Sequence, residues 1–330
     1  MRAVQVTTFG SFEDASVADV ADPVAAAGQV VVEVHAAPLN FVDLLVFGGK
    51  YQFLPPLPFT PGKGPAGVVR AIGAGVANVA VGDRVLAMAE SGGYAQLCPV
   101  DAKSCYRLPD AMSFPEAAAS SLVYDTSWFA LRERGRLAEG ETVLVLGASG
   151  GVGLASVQLA KAMGARVLGA IANMEKAQLV RDAGADGIVD LSRADLNESL
   201  RAQVFAQTDG KGADVCLDML GGDFFDAAIR ALAWRGRLVV IGFAAGRIPT
   251  LKINYVLLKN IEVSGLQISD YRKRMPERVA DCYREVFGYF ESGKLKPLPF
   301  ETLRLDEFKI GLRKIEQRQA TGRIVLLPRE

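Results

Sequence analysis

The chain has 330 residues, half of them apolar, with 37 basic side chains, 37 acidic ones and a single histidine. A formal charge of zero removes any bulk electrostatic case for nucleic acid or an anionic membrane as partner, and the length exceeds what one core usually fills, so two domains and a small-molecule ligand are expected. No apolar run approaches the roughly 20 residues that span a bilayer, and Met1-Arg-Ala-Val-Gln-Val-Thr lacks the apolar stretch of a secretion signal, which makes a cytoplasmic protein the simplest expectation.

From Met1 to about Leu122, short β-runs at Val30 to Val34, Gly67 to Ile72, Arg84 to Ala87 and Tyr94 to Cys98 are broken by Gly and Pro, and predict a small, irregular β-rich domain. His35 lies in the first run, where strand neighbours satisfy it more readily than chemistry employs it. One imidazole and four cysteines without C-x-x-C spacing (Cys98, Cys105, Cys216, Cys282) suggest neither a zinc site nor a disulfide framework, and no metal is expected.

From about Val123 the rhythm changes to strands alternating with helices. Apolar runs at Val143 to Leu146, Arg166 to Ile171, Gly187 to Val189, Asp214 to Leu217, Leu238 to Gly242 and Ile261 to Ser264 predict a doubly wound parallel sheet. The first run enters Gly147-Ala-Ser-Gly-Gly-Val-Gly153 and then a helical pattern, which is a dinucleotide-binding turn. Gly150 and Gly151 let backbone N–H groups approach a pyrophosphate, Gly153 lets helix and strand pack closely, and the helix N-terminus favours the anion. Ala148 holds the first glycine place of the usual triplet. At the end of the second strand, where an NAD enzyme places an acid on the ribose 2′-hydroxyl, the residues are Ala172, Asn173 and Met174. NADP(H) is therefore preferred. Lys176 is placed either to meet a 2′-phosphate or to be a solvated surface lysine, and Glu175 is a competing acid. The tail predicts helices over Pro276 to Ser292 and near Asp306 to Gln317, then a β-run from Gly322 that rejoins the first domain. The expected division is 1–122, 123–266 and 267–330, with the domains packing to leave a cleft.

Three stretches together resemble the zinc-free quinone oxidoreductases of the medium-chain dehydrogenase/reductase superfamily: Ala37-Pro-Leu-Asn40-Phe-Val-Asp43, Gly67 to Gly73 continuing to Val81-Gly-Asp-Arg-Val85, and Leu146 to Gly153. The likeness extends through Leu257 to Gly265 and Gly322 to Leu326. It implies an α/β chain with a Rossmann domain inserted in a GroES-like β-rich domain, and a homodimer. Relatives that oxidise alcohols hold zinc with a Cys and a Gly-His-Glu segment; here that segment reads Gly62-Lys63-Gly64, and the acid that even zinc-free relatives keep near this point is absent.

Hydride transfer to an ordinary ketone builds alkoxide charge that needs a Lewis acid or a placed donor, whereas a quinone or enone delocalises that charge over its own π-system. By resemblance, then, the chain is expected to reduce a quinone or activated alkene with NADPH. Asn40 and Tyr51, on a loop from 40 to 51, are the expected catalytic residues, with Asp43 bracing that loop. Thr126 is expected near the nicotinamide amide, Ser149, Gly150, Gly151 and Val152 at the pyrophosphate, and Asn173, Lys176 and Leu191 toward the 2′-phosphate. Gly242, Phe243, Ala244, Leu266 and Gln267 should flank the nicotinamide. Two alternatives are a reductase of enoyl-CoA thioesters and an NADPH-binding structural or sensor protein with little turnover. The pair Tyr255-x-x-x-Lys259 imitates a short-chain dehydrogenase, but the nucleotide turn of that class opens the chain, and here it does not.

Overall fold

A computed structural model of the protein describes residues 1–330. It divides into two compact units, one formed by Met1–Leu122, Arg272–Tyr283 and Pro297–Glu330, the other by Val123–Tyr271 and Arg284–Lys296. The expected single return to the first domain at residue 267 is thus later and interrupted. Residues 284–296 belong with the second unit because Glu285 accepts hydrogen bonds there from Trp128 Nε1 at 2.7 Å and Arg132 at 2.5 Å, and the Lys296 N–H donates to Gln158 at 2.9 Å.

In the first unit, β1 (Arg2–Gln5) and β2 (Ser16–Asp19) form an antiparallel ribbon, and β3 (Gln29–Leu39), β4 (Ala66–Ile72), β5 (Arg84–Ala87), β6 (Leu97–Asp101) and β7 (Cys105–Arg107) follow. The eleven residues of β3 are the spine, pairing antiparallel with β4 from Val30↔Ile72 and with β6 from Gln29↔Asp101. A strand bonded along both edges is largely buried, which its Val-rich sequence anticipates. The run expected at Tyr94 to Cys98 is displaced: the Tyr94 N–H is already committed to Pro61 O at 2.9 Å, and pairing with β3 starts only at Leu97↔Glu33.

The second unit holds β8 (Thr142–Leu146), β9 (Arg166–Ile171), β10 (Gly187–Asp190), β11 (Ala213–Asp218), β12 (Leu232–Val240) and β13 (Glu262–Gly265). All are parallel, in the spatial order β10-β9-β8-β11-β12-β13. Every residue of β8 is buried, as expected for a central strand with both faces covered. Because β9 lies to one side of β8 and β11 to the other, the winding reverses between β8 and β11, and the crevice beyond their carboxyl ends is where doubly wound sheets bind ligands. The fifth strand ends at Val240, two residues earlier than expected, leaving Gly242 in the following turn.

The chain then completes the first unit with β14 (Phe300–Arg304) and β15 (Arg323–Leu327), the latter pairing antiparallel with the end of β3 through Leu39↔Ile324. Its core gathers Val32, Leu39, Phe47, Tyr94, Phe308 and Leu326, and that of the second unit Leu144, Leu168, Val189, Cys216, Phe225 and Leu238.

Candidate functional site

In the second unit the β8 strand leads into a turn and then the helix Gly151–Ala162, with Gly150 as its N-cap. The first intrahelical bond runs from Leu154 N–H to Gly150 O at 2.8 Å, so the N–H groups of Gly151, Val152 and Gly153 have no acceptor within the helix. Ala148 is fully buried while Ser149 to Val152 remain accessible; the Gly150 N–H is spent on Gly147 O at 3.0 Å, and the helix end that follows presents its first amides and positive dipole to an anion. The close approach is demanding at Gly153, where an added Cβ would lie 2.3 Å from Gly147 O and 2.7 Å from Ala148 Cα.

The other expected cofactor residues are distributed along the same carboxyl edge. Asn173 follows β9 and caps a short 3-10 turn, its side chain accepting from Glu175 N–H at 3.0 Å; Lys176 ends that turn, half-buried. Leu191 follows β10, but its side chain is packed in the apolar core with only its backbone near the edge, its N–H bonded to Ile171 O at 2.8 Å. A polar contact from its side chain, of the kind a Tyr or His would make, is therefore not available. Gly242, Phe243 and Ala244 follow β12, with Phe243 exposed, and Leu266 and Gln267 follow β13. Thr126 lies buried on the helix Val123–Phe129; on that helix Ser127 Oγ donates to Val152 O at 3.2 Å and accepts from Ser156 Oγ at 2.9 Å, tying it to the nucleotide-turn helix.

Asp218, at the end of β11 beside the winding reversal, was not foreseen. One carboxylate oxygen accepts from the N–H groups of Leu220 and Gly221 at 2.9 and 2.8 Å, and the other is buried without a hydrogen-bond partner. Burial raises its pKa against those two hydrogen bonds. The legible signal was an acid ending an apolar strand three residues before the glycine pair Gly221-Gly222. Lys259, the short-chain mimic, donates to Arg230 O and Leu232 O, both at 2.8 Å, and so braces backbone.

In the first unit the stretch expected as a loop is largely helical, over Phe41–Phe47, because the Asp43 carboxylate caps its start, accepting from the Asn40 N–H. Asp43 Oδ2 accepts from Asn40 N–H at 2.7 Å and from the Tyr94 hydroxyl at 2.5 Å, and Asn40 Oδ1 accepts from Arg323 at 2.7 Å. Arg323 also donates to Ala119 O at 3.0 Å. All four side chains are buried. Burial pushes the Asp43 carboxyl up against its hydrogen bonds and the nearby Lys63 and Arg323 charges, and pushes Arg323 down to about 10. Asn40 is thus a brace within a polar core.

Tyr51 lies half-buried beyond that helix, beside a second cluster. Lys63 Nζ is 5.1 Å from the centre of the Tyr51 ring and pairs with Glu90 at 2.5 Å, while Arg272 reaches the other oxygen of Glu90 at 3.0 Å. Although burial raises the Glu90 pKa, Arg272 and Lys63 hold it down at about 2. Lys63 and Glu90 carried no expected role.

The donor set does not fit a zinc ion. No three His, Cys, Asp or Glu side chains are grouped to hold one. His35 stacks on Phe114 with ring centres 4.5 Å apart and pairs with Glu33 at 3.3 Å, and burial holds the Cys98 and Cys105 thiols at about 12, where neither is a thiolate. At the place of the Gly-His-Glu ligand stands an ammonium, which repels a cation.

Comparison with known proteins agrees with this geometry. Residues 26–110 match the family described as alcohol dehydrogenase GroES-like domain, and residues 151–285 that described as zinc-binding dehydrogenase. A quinone oxidoreductase-like protein 2 homolog of Nematostella vectensis is 37% identical over 301 residues, covering 90% of this chain and 81% of that protein. The quinone oxidoreductase of Mus musculus is 33% identical, with 90% and 88% covered. A crystal structure of Escherichia coli quinone oxidoreductase complexed with NADPH superposes with a TM-score of 0.91 at 28% identity, covering 99% of this chain and all of that one.

Proposed function

Because this chain belongs to the quinone oxidoreductase family of the medium-chain dehydrogenase/reductase superfamily, we propose that it is a zinc-independent, NADPH-dependent reductase of quinones or activated alkenes. The observation that carries the reading is the helix end whose Gly151, Val152 and Gly153 amides have no acceptor within the helix, set where the parallel sheet reverses its winding. The backbone of Ser149 to Val152 receives the pyrophosphate. Asn173 and Lys176 serve the 2′-phosphate, with no carboxylate at 172–174 to repel it. Phe243, Ala244, Leu266, Gln267 and Thr126 border the nicotinamide, which when bound supplies hydride. Asn40 holds its helix and strand in register, and Tyr51 touches the acceptor.

The same reading includes a homodimer. β13 is an edge strand, and Trp234 on its neighbour β12 and Ile253, Leu257 and Leu258 at the helix Asn254–Lys259 that leads into it are each about 70% exposed or more. A second copy adding its own edge strand would cover them. Four buried cysteines, none in a disulfide, suit the reducing cytoplasm.

The test is NADPH and NADH oxidation by metal-stripped protein against quinones, enones and enoyl-CoA thioesters. Turnover with NADPH on quinones or enones is expected. Tight NADPH binding without turnover would refute the enzyme, and loss of activity on stripping would refute zinc independence.

A further inference from the structure

We propose that Asp218 is a positioning residue: by pinning the turn after β11 it fixes the loop 241–247 that borders the nicotinamide, an inference that rests on the cofactor placement proposed above. Asp218 ends β11, paired with Leu146 at the end of β8 on one side and with Val240 at the end of β12 on the other. Its side chain is fully buried. One carboxyl oxygen accepts from Leu220 N–H at 2.9 Å and Gly221 N–H at 2.8 Å, while the other has no hydrogen-bond partner. Buried polar atoms without a partner are rare and costly, so an acid that leaves one is a poor choice for stability alone. What it provides is the pair of bonds made by its first oxygen.

Those bonds close a turn that glycine would leave loose. Gly221 and Gly222 have φ of +66° and +55°, and glycine loses more conformational freedom on being fixed than any other residue. The carboxyl oxygen supplies the acceptor that holds the chain in this conformation, as acidic and amide side chains do in other tight turns.

The loop 241–247 hangs on that turn. Asp218 O accepts from Ile241 N–H at 2.8 Å and Gly242 N–H at 3.3 Å, Met219 O from Ala244 N–H at 3.1 Å, and Leu220 O from Ala245 N–H at 2.9 Å. Gly222 N–H donates to Arg247 O at 3.0 Å, and the Arg247 guanidinium pairs with Asp223 at 2.8 Å and with Asp226. Side chains are close as well: a Cβ added at Gly221 would lie 2.8 Å from Phe243 Cδ1. Toward β8 the same turn meets the nucleotide turn, since a Cβ added at Gly147 would lie 3.1 Å from Leu220 Cδ2. Residues 219–222 therefore sit between the segment that takes the pyrophosphate and the segment that borders the nicotinamide, and Asp218 sets their conformation.

The experiment compares wild type, D218A and D218N. It measures amide hydrogen exchange of the cofactor-free protein, affinity for NADPH and for 2′,5′-ADP, fluorescence anisotropy of bound NADPH, kcat and melting temperature. In D218A, exchange at Leu220, Gly221, Ala244 and Ala245 should quicken about tenfold or more, with the amides of β8 unchanged. Affinity for 2′,5′-ADP, which lacks the nicotinamide, should hold within about threefold, while the anisotropy of bound NADPH falls and kcat drops about 10- to 100-fold. D218N keeps a carbonyl oxygen for the two N–H groups and puts its amide nitrogen where the unpartnered oxygen lay. Its melting temperature should fall, yet its exchange, anisotropy and kcat should stay within about threefold of wild type. A merely structural role would make every one of these follow melting temperature in both variants.

Should D218A fail to fold, D218S, whose shorter hydroxyl is the weaker acceptor, is read in the same way. Exchange at Ala244 and Ala245 no faster than in wild type, 2′,5′-ADP affinity lost as far as that for NADPH, or D218N falling as far as D218A overturns the Asp218 assignment alone. A wild type that binds NADPH but reduces no quinone or enone overturns the reductase reading, and exchange and anisotropy still decide on Asp218. A wild type without affinity for NADPH overturns the cofactor placement, and this assignment with it.

Discussion

Gly153→Ala puts one methyl group into the tightest contact of the nucleotide turn. Built on the present backbone, that methyl lies 2.3 Å from Gly147 O, 2.7 Å from Ala148 Cα and 2.8 Å from Ala148 C. All three are backbone atoms, so no side chain can rotate away. Carbon and oxygen in ordinary contact stand roughly 3.3 Å apart, so the helix Gly151–Ala162 must retreat by about 1 Å or the turn must open by as much. Overpacking of this kind costs about 1–3 kcal/mol, and a 1 Å displacement of positioned groups can cost about 10²-fold in function. The amides of Gly151 and Val152 ride on the displaced helix end. The expected result is NADPH affinity reduced about 30- to 100-fold by fluorescence titration, with a melting temperature lower by several degrees. Gly288→Ala is the control, because nothing lies within 4 Å of an added Cβ there and the site is an exposed helix interior. It should leave affinity unchanged and raise stability by about 0.5–1 kcal/mol. If G153A binds NADPH as tightly as wild type and melts with it, the claim that strand and helix touch through this glycine is wrong.

Asp43→Ala removes the acceptor of two buried hydrogen bonds to a carboxylate, and at about 1.5–3 kcal/mol each should destabilise the first unit by roughly 3–6 kcal/mol in a urea titration. A loss under about 1 kcal/mol would show that Asn40 and Tyr94 find other partners. Glu90 has its folded-state pKa lowered from 4.5 to about 2, so its ionised form contributes stability above pH 4.5 that is lost as pH falls toward 2. Melting temperature should drop over that window, and E90Q should flatten the drop; an identical slope in both proteins would exclude Glu90 as its source. Leu257→Glu, at a position 78% exposed, should shift the sedimentation coefficient from dimer to monomer, and a wild type that sediments as a monomer would remove the dimer.

What could be read from the chain was whatever local pattern controls. The six strands of the second unit and the nucleotide turn follow from contiguous residues: apolar runs of strand length and glycines at fixed offsets. Errors arose where distant residues set the outcome. Tyr94 was placed in a strand because its neighbours alternate, yet its N–H is bonded to Pro61 and its hydroxyl to Asp43, and neither partner is near it in sequence. The segment after Asn40 was expected as a loop although Asn-x-x-Asp is a capping pattern at the start of the helix Phe41–Phe47. Leu191 was aligned with a polar position of relatives, but a leucine there gains more from the core. Lys63 shows the same limit from the other side. Its sequence neighbours, two glycines, say only that the backbone bends, while its ion pair with Glu90, Arg272 on the far side of that carboxylate and the ring of Tyr51 come from segments 27, 209 and 12 residues away. A cluster assembled from such separations leaves no linear signature.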